Sequence, residues 1–166
     1  MELSLLSAEY FVRKLNNSDI DMIYNLSKEN TIFYRYHPPF VTKESIMEDM
    51  KALPPGKGYD NKFYIGFFKN DTLIALMDLI CDYPADKVIY IGLFMIDPAF
   101  QRKSIGTSII SECCSYWKSL GYRKIRLGVD KGNPQSSAFW SKNNFVKTNE
   151  ERQRETYDYV LMERIL

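Results

Sequence analysis

The sequence predicts a mixed α/β fold, in which helices pack on a sheet of parallel and antiparallel strands. Runs typical of strands alternate along the chain with segments of helical periodicity. One run, VIYIGLFMI, is apolar almost throughout and is typical of a central strand buried on both faces. With 166 residues, 45% of them apolar, the chain can bury a sizeable core, so we treat 1–166 as a single domain.

The N-terminal part is predicted to contain one strand and two helices. YFVRKLN, residues 10–16, reads as the first strand. Ser18 is expected to cap the first helix, because a serine side chain can accept a hydrogen bond from a free N–H of the first turn. Thr42 is expected to cap a second helix over 43–51, and the stretch TIFYRYHPPF between the two helices is interpreted as a loop.

After the loop LPPGKGYDN the periodicity becomes strand-like. KFYIGFF and TLIALMDLICDY predict two strands joined by a hairpin turn at Lys69-Asn70-Asp71. VIYIGLFMI follows, and then a helix over about 104–120 that stops at Gly121.

The C-terminal part is predicted to contain three more strands and one more helix. KIRLGVD is a strand, and Asn133 and Pro134 suit the cap and the first position of a short helix in NPQSSAFWSKNN. FVKT and YDYVLMERIL predict the last two strands. The predicted order of elements is therefore βααβββαβαββ.

Charge, hydropathy and cysteine content argue against several classes of protein. The 22 basic and 21 acidic residues leave a net charge of +1, which argues against a nucleic-acid partner. No apolar run reaches the roughly 18 residues of a membrane span, and MELSLLSAEY lacks the features of a signal peptide. Three cysteines do not make a disulfide framework, so a reducing, cytoplasmic setting is expected. No metal site is predicted.

The segment QRKSIGT, between the apolar strand and the next helix, predicts an anion site. Backbone N–H groups of a loop and a first helical turn have no intrahelical partner, and with the helix dipole they favour a phosphate. Arg102 and Lys103 add positive charge. Neither G-x-x-x-x-G-K-[ST] nor G-x-G-x-x-G occurs, so a nucleoside triphosphate loop and a nicotinamide cofactor are unsupported. From this loop alone, an ordinary strand-to-helix turn is an equal alternative.

Two motifs together resemble the GNAT superfamily of N-acetyltransferases. QRKSIGT resembles its acetyl-coenzyme A pyrophosphate loop, [QR]-x-x-G-x-[GA], with Gln101 at the first position and Gly106 at the last. LGVDKGNPQSSAFWSKNNF resembles its second motif, with Asn133, Phe139 and Phe145 at matching positions. The predicted order of elements is also that of the family, so the resemblance covers essentially the whole chain.

The resemblance implies the GNAT acyl-CoA N-acyltransferase fold and acetyl-CoA as co-substrate. In that fold the fourth and fifth strands part, and the coenzyme lies in the gap and on the following loop. The coenzyme-binding residues implied are Phe94, Met95, Ile96, Gln101, Arg102, Lys103, Ser104, Ile105, Gly106, Thr107, Asn133, Ser136, Phe139 and Trp140. Ser104 stands where the family usually has glycine. We expect this departure to be tolerated, because a serine can cap a helix and keeps its backbone N–H.

Two groups that often act in catalysis in this family are missing. Trp140 stands where a tyrosine often protonates the leaving thiolate, and Gly92 and Leu93 stand about where a glutamate is frequent. The nearest acids on a strand are Asp78 and Asp82, four residues apart and therefore on one face. Asp78 interrupts an apolar run and is the predicted general base, with a paired structural role as the open alternative.

Tyr90 is the second catalytic candidate. Another tyrosine could serve in place of the missing acid, or the thiolate could leave unaided, since a thiol of pKa about 8.5 is a good leaving group. The only histidine, His37, lies in a region that borders the acceptor site in the family. Aromatic faces suit a cationic amine, although plain packing of the loop between the helices is the somewhat favoured interpretation. The cluster is Phe33, Tyr34, Tyr36, His37 and Phe40.

These observations predict an N-acetyltransferase that moves an acetyl group from acetyl-CoA to a primary amine in a ternary complex. The favoured acceptor is a small-molecule amine. A peptide or protein amine is the alternative acceptor, and a non-catalytic coenzyme A-binding sensor is the alternative outside catalysis. No nucleic acid or membrane partner is expected, and the oligomeric state is left open between a monomer and a homodimer.

Overall fold

The computed structural model describes all 166 residues and contains one seven-stranded mixed sheet flanked by helices. The strands are Phe11–Lys14 (β1), Lys62–Lys69 (β2), Thr72–Cys81 (β3), Val88–Ile96 (β4), Lys124–Asp130 (β5), Val146–Gln153 (β6) and Asp158–Ile165 (β7). The helices are Ile20–Lys28 (α1), Thr31–Tyr36 (α2), Lys43–Lys51 (α3), Ile105–Ser119 (α4) and Pro134–Lys142 (α5). The strand order is β1-β2-β3-β4-β5-β7-β6.

The strands β4 and β5 form the one parallel pair of the sheet, and they separate part-way. Residues 88–91 of β4 pair with 124–127 of β5, and the pairing stops there. On the other side of β4, Asp78 is opposite Leu93 and Leu79 is opposite Ile91, so Gly92 is the extra residue of a β-bulge. Gly92 is also the first residue of β4 without a partner on β5, so the bulge lies where the gap begins.

The sheet is covered on both faces. The larger cluster of apolar side chains lies between the sheet and α4, and it includes Ile109, Cys113 and Trp117, which recur at helical spacing on one side of α4. The smaller cluster lies under α1 and α3 and contains Ile23 and Ile46. Since both faces are buried, the central strands are apolar almost throughout, as their sequences predicted.

The cysteines are free and buried. Cys81, Cys113 and Cys114 have no disulfide partner, and burial raises the pKa of each thiol. Such thiols are chemically inert, because the reactive thiolate is disfavoured. No helix combines the length and the apolar composition needed to cross a membrane.

Most predicted elements are present at or near the expected bounds. The mixed α/β class is confirmed, and Thr42 caps α3 through the backbone N–H of Ser45. Asn133 and Pro134 begin α5 as predicted, and β2 and β3 are joined at 70–71 as the hairpin signal indicated. Short-range signals were sufficient here, because each cap and turn is formed by neighbours in sequence.

Two predictions for the first helices are wrong. Asn16, and not Ser18, accepts the capping hydrogen bond, from the backbone N–H of Ser18, and α1 begins only at Ile20. Several good capping residues follow one another here, so residue type could not choose between them. The stretch read as a loop contains α2, whose six residues are too few to show a helical period and are mostly aromatic. The two prolines after His37 then end the helix.

Candidate active site

A groove of about 370 Å³ lies at the open end of β4, between the 101–107 loop and α5. It is lined by Asn30, Phe33, Phe94, Met95, Ile96, Gln101, Arg102, Ser104, Ile105, Gly106, Thr107, Gln135, Ser136, Phe139, Trp140 and Lys142. All of the predicted coenzyme-binding residues except Lys103 and Asn133 therefore lie together. The groove combines the free edge of β4, the first turn of α4 and one side of α5.

Close packing at Gly106 shapes the inner wall of the groove. A Cβ atom at this position would lie 2.4 Å from Cδ1 of Ile96 and 3.0 Å from Cε2 of Phe139, so a side chain fits only if these neighbours move. Beyond it, the ring of Phe139 lies 5.0 Å from that of Trp140 and 5.9 Å from that of Phe94, centroid to centroid. The wall is therefore apolar and rigid beside the loop.

The loop itself takes a strained backbone path. Arg102 has φ 59° and Ser104 has φ 61°, both in the left-handed region that glycine adopts most easily. Ser104 precedes α4, but its side chain makes no capping hydrogen bond, so the expected cap is absent. This backbone conformation explains why the GNAT loop usually has glycine at the position of Ser104. Serine at this φ costs about 1–2 kcal/mol in a left-handed conformation.

Gln101 ties the loop to the rest of the molecule. Its side-chain nitrogen donates to the carbonyl of Ile96 at 3.0 Å and to Oδ1 of Asn30 at 2.9 Å. Asn30 in turn donates to the same carbonyl at 3.1 Å, and Gln135 donates to Oε1 of Gln101 at 3.3 Å. Gln101 thus fixes the end of β4, the start of α2 and the start of α5 to one another.

Two predicted residues lie outside the groove. Lys103 donates from Nζ to the carbonyl of Ala99 at 2.8 Å, so its charge is directed away. Asn133 is 1% exposed and accepts from the N–H of Ser136 as the cap of α5, while its Nδ2 atom has no partner.

Three groove residues, Asn30, Gln135 and Lys142, escaped the sequence reasoning, and Phe33 was named only in the aromatic cluster beside the acceptor site. Lys142 lies one helical turn beyond Phe139, so spacing alone could have indicated it. Gln135 precedes Ser136 at the start of the same helix. Asn30 comes from the distant α1–α2 region, where no local signal points to the groove.

Asp78 lies on the face of the sheet covered by α1 and α3, in an ion pair with Lys62. Nζ of Lys62 lies 2.8 Å and 2.9 Å from the two carboxylate oxygens. Burial raises the pKa of the Asp78 carboxyl to about 6, although the ammonium group of Lys62 acts to lower it. The paired role that the sequence left open therefore corresponds to an ion pair in the structure.

Tyr90 and Asp82 differ from Asp78 in their surroundings. Tyr90 is opposite Ile80 on β3, which places it on the same face as Asp78 and away from the groove lining. Burial raises the pKa of its phenol to about 12, so the hydroxyl stays protonated. Asp82 lies beyond the end of β3, where it accepts the backbone N–H of Lys87 at 3.0 Å and closes a turn.

His37 joins the end of α2 to the far side of the gap. Its Nδ1 atom lies 3.0 Å from Oδ1 of Asp130, at the end of β5, and its ring stacks on Phe33 at 4.8 Å. The ring of Tyr157 lies 4.0 Å away, and the hydroxyl of Thr156 donates to Pro38 at 2.9 Å. The turn between β6 and β7 is therefore fastened to the α2–α3 connection.

A family model described as the Acetyltransferase (GNAT) family matches residues 20–145. The chain belongs to the GNAT family of acetyltransferases. The protein is accordingly an acyltransferase, and the match spans the groove, the 101–107 loop and both strands of the gap.

Solved structures show the same GNAT fold across the chain. An acetyltransferase from Thermus thermophilus superposes with a TM-score of 0.76 at 15% identity, over 98% of this chain and 99% of that one. The PaiA N-acetyltransferase of Thermoplasma acidophilum, in complex with coenzyme A, gives 0.69 at 17%, over 95% and 99%. The ribosomal-protein-S18-alanine N-acetyltransferase of Escherichia coli gives 0.68 at 13%, over 94% and 93%. No significant match was found among curated protein sequences.

The groove of this GNAT chain fits a coenzyme A thioester. Beyond Ile91, β4 has no partner on β5, so backbone groups on that side can pair with an extended amide chain, except the carbonyl of Ile96, which accepts from Gln101 and Asn30. Asn133, at the start of α5 but outside the groove lining, keeps a buried amide nitrogen that has no hydrogen-bond partner. The first turn of α4 offers N–H groups to phosphates, and Arg102 adds charge beside it.

Proposed function

We propose that the protein transfers the acetyl group of acetyl-CoA to the primary amine of a small molecule, with both substrates bound at once. The proposal depends on one observation: the groove and the carboxylate of Asp78 both lie at the gap between β4 and β5. Gly92, beside Asp78, is two residues before Phe94 of the groove, and two strand residues span about 7 Å.

The groove residues have binding and orienting roles in this proposal. The N–H groups at the start of α4, with Arg102, bind the phosphates, and the rings of Phe139 and Trp140 pack against the arm of the coenzyme. When bound, the coenzyme supplies an acetyl thioester at the gap. Free N–H groups of β4 near Phe94–Ile96 are available to polarise its carbonyl.

Asp78 is the proposed general base. An amine of pKa about 10 is almost wholly protonated at neutral pH and cannot attack until it loses a proton. With a pKa of about 6, Asp78 is mostly ionised at neutral pH and can take that proton, directly or through a water molecule. Because a base must be deprotonated, turnover should rise as the pH rises through about 6.

Trp140 and Tyr90 have lesser roles in the chemistry. The indole N–H of Trp140 can donate a hydrogen bond but is not a useful acid, so Trp140 acts by packing. Tyr90 has a pKa of about 12, which makes it a hydrogen-bond donor at neutral pH and not a base. Departure of the thiolate needs no strong acid, because the thiol pKa is only about 8.5.

The contacts of His37 support a small acceptor. Together with the hydrogen bond from Thr156 to Pro38, they fasten the turn between β6 and β7 to the α2–α3 connection, and a gap bounded in this way favours a small acceptor over an extended peptide. Asp49, on α3 and close to Lys62 and His37, has no hydrogen-bond or ion-pair partner, and removal from solvent raises its pKa. A free carboxylate among aromatic rings suits a cationic amine.

An amine panel tests the proposal. Release of coenzyme A thiol from acetyl-CoA should occur with one or more small primary amines, and each product should carry one added acetyl group by mass. Exclusive acetylation of peptides would favour the alternative acceptor. If no amine or peptide reacts while acetyl-CoA still raises the melting temperature, the result contradicts the proposed transfer and favours the coenzyme-sensor alternative. At a hundredfold excess over the Kd, that stabilisation is about 2.7 kcal/mol.

A further inference from the structure

Lys62 is a buried cation that no part of coenzyme binding requires. It lies on β2, diagonally across from Asp78 on β3, because Tyr64 is the residue directly opposite Asp78. The Lys62 side chain is 3% exposed and that of Asp78 is 16% exposed. The ammonium group of Lys62 is therefore buried, while the carboxylate of Asp78, with which it is paired, is partly exposed to solvent.

Stability alone gives a weak reason for this pair. Removing an ammonium group and a carboxylate from water costs several kcal/mol per ion, and a buried ion pair often contributes no more than an apolar pair of similar volume. The neighbours Tyr64 and Leu76 belong to the cluster under α1 and α3, where apolar side chains would pack as well. What the pair does change is the charge and the direction of the carboxylate.

The position of Gly92 shows the direction in which the Asp78 carboxylate points. A Cβ atom on this glycine would lie 3.3 Å from Oδ2 of Asp78, so the carboxylate stands directly over the bare backbone of the bulge. Gly92 is exposed, and it is the first residue of β4 beyond the pairing with β5. A carboxylate can accept about four hydrogen bonds, so the two from Lys62 leave Oδ2 free to accept another over the gap.

We propose that Lys62 is a positioning residue for acyl transfer: its ammonium group keeps Asp78 ionised and directs Oδ2 over Gly92 toward the reacting amine. This inference rests on the proposed function, in which Asp78 is the base. Lys62 itself contacts neither substrate, and it acts only through the carboxylate.

The other groups facing Asp78 do not replace Lys62. Asp49, from α3, raises the pKa of Asp78, as burial does. Tyr64, from β2, and Tyr90, from β4, lie on the same face, and burial raises the pKa of both phenols, so they stay neutral. Lys62 is therefore the cation that opposes both Asp49 and burial at this carboxylate.

The test compares Lys62→Gln, which keeps a donor without the charge, with Lys62→Arg, which keeps the charge. The Asp78 carboxyl carbon is titrated by NMR in each protein without substrates, and the pH profile of kcat/KM is measured with acetyl-CoA and a reactive amine. Loss of the nearby cation should raise the midpoint of the Asp78 carboxyl titration in Lys62→Gln by about one to three pH units. The rising limb of its profile should move by the same amount, so activity lost at pH 7 returns at higher pH. Lys62→Arg should keep both midpoints close to wild type.

Each other outcome is informative. A folded Lys62→Gln variant with unmoved midpoints overturns the proposal, because a merely structural lysine would change stability and not the profile. In the unmodified protein, the NMR chemical shift of Lys62 Nζ should change with pH at the same midpoint as the Asp78 carboxyl carbon, because the two groups are hydrogen-bonded. Absence of that shared midpoint overturns the proposal even if neither variant folds. Both titrations need no acceptor, so they stand apart from failure of the proposed function, which is the absence of turnover on every amine.

Discussion

The two sides of the β4–β5 gap present different kinds of chemical group. The groove side is formed by backbone N–H groups, a glycine that must lack a side chain, and the aromatic rings of Phe94, Phe139 and Trp140. The other side holds titratable groups, with Lys62 paired to Asp78 and Asp49 nearby. The difference suggests that binding is carried by backbone path and shape, while proton transfer is carried by a few buried charges.

The largest effect is expected from Gly106→Val, which acts on the groove side alone. The new side chain would collide with Ile96 and Phe139, so the variant should lose the rise in melting temperature that acetyl-CoA causes. Gly58→Ala is the matched control, because Gly58 has open space around it. Circular dichroism checks that both variants fold. A Gly106→Val protein that folds and binds acetyl-CoA normally would contradict the assignment of this groove.

Asp78→Asn should separate the two sides most sharply. It removes the charge and keeps the shape, so turnover should fall by about 10²–10⁴, the usual value of general-base help, while coenzyme affinity holds. The rising limb near pH 6 should disappear. Asp82→Asn is the control, because Asp82 closes a turn at the end of β3. Wild-type rates in Asp78→Asn across this pH range would mean that the base lies elsewhere.

Trp140 tests whether the groove side is shape alone. Trp140 is buried and packs on Phe139 and Phe145, so Trp140→Ala should lower the free energy of unfolding by about 3–5 kcal/mol. Trp140→Phe should keep most of the kcat. Trp117→Phe, in the core away from the groove, controls for loss of stability. A folded Trp140→Phe variant with normal coenzyme binding and a rate lower by orders of magnitude would show that the indole takes part in the chemistry.

The smallest effect is expected from Ser104→Gly. Relief of a left-handed serine, about 1–2 kcal/mol, is partly offset by the entropy cost of glycine, about 0.5–1 kcal/mol. The melting temperature should stay level or rise by a few degrees, and acetyl-CoA should bind as well or better. Ser108→Gly, inside α4, should change stability in the opposite direction. A tenfold loss of affinity in Ser104→Gly would show that the hydroxyl binds a phosphate.

The sequence predicted the groove far better than the opposite side, for a physical reason. Gly106 and the start of α5 act within short segments, so they leave local patterns, and Gln101 was found through the same loop motif although its side chain binds the distant Asn30. The charge on Asp78 was noticeable because it interrupts an apolar strand, but its partner Lys62 lies sixteen residues away on another strand. No local pattern marks a cross-strand diagonal pair.

The same limit explains the two errors near the groove. Ser104 was expected to cap α4, and only the backbone angle, which residue type does not reveal, shows that it cannot do so there. The helix α2 was read as a loop, although Asn30, at its start, is anchored by Gln101. Tertiary contacts decide the outcome where six residues have little helical tendency of their own.

The bond between Gln101 and Asn30 also bears on how the molecule opens. A helix of six residues has little protection of its own, so the amide hydrogens of α2 should exchange with solvent whenever its anchor is released. That anchor is the side chain of Gln101 in the 101–107 loop, 71 positions further along the chain. Binding of acetyl-CoA in the groove should therefore slow amide hydrogen exchange in α2. Deuterium uptake by residues 31–36 would then measure how firmly the 101–107 loop is held.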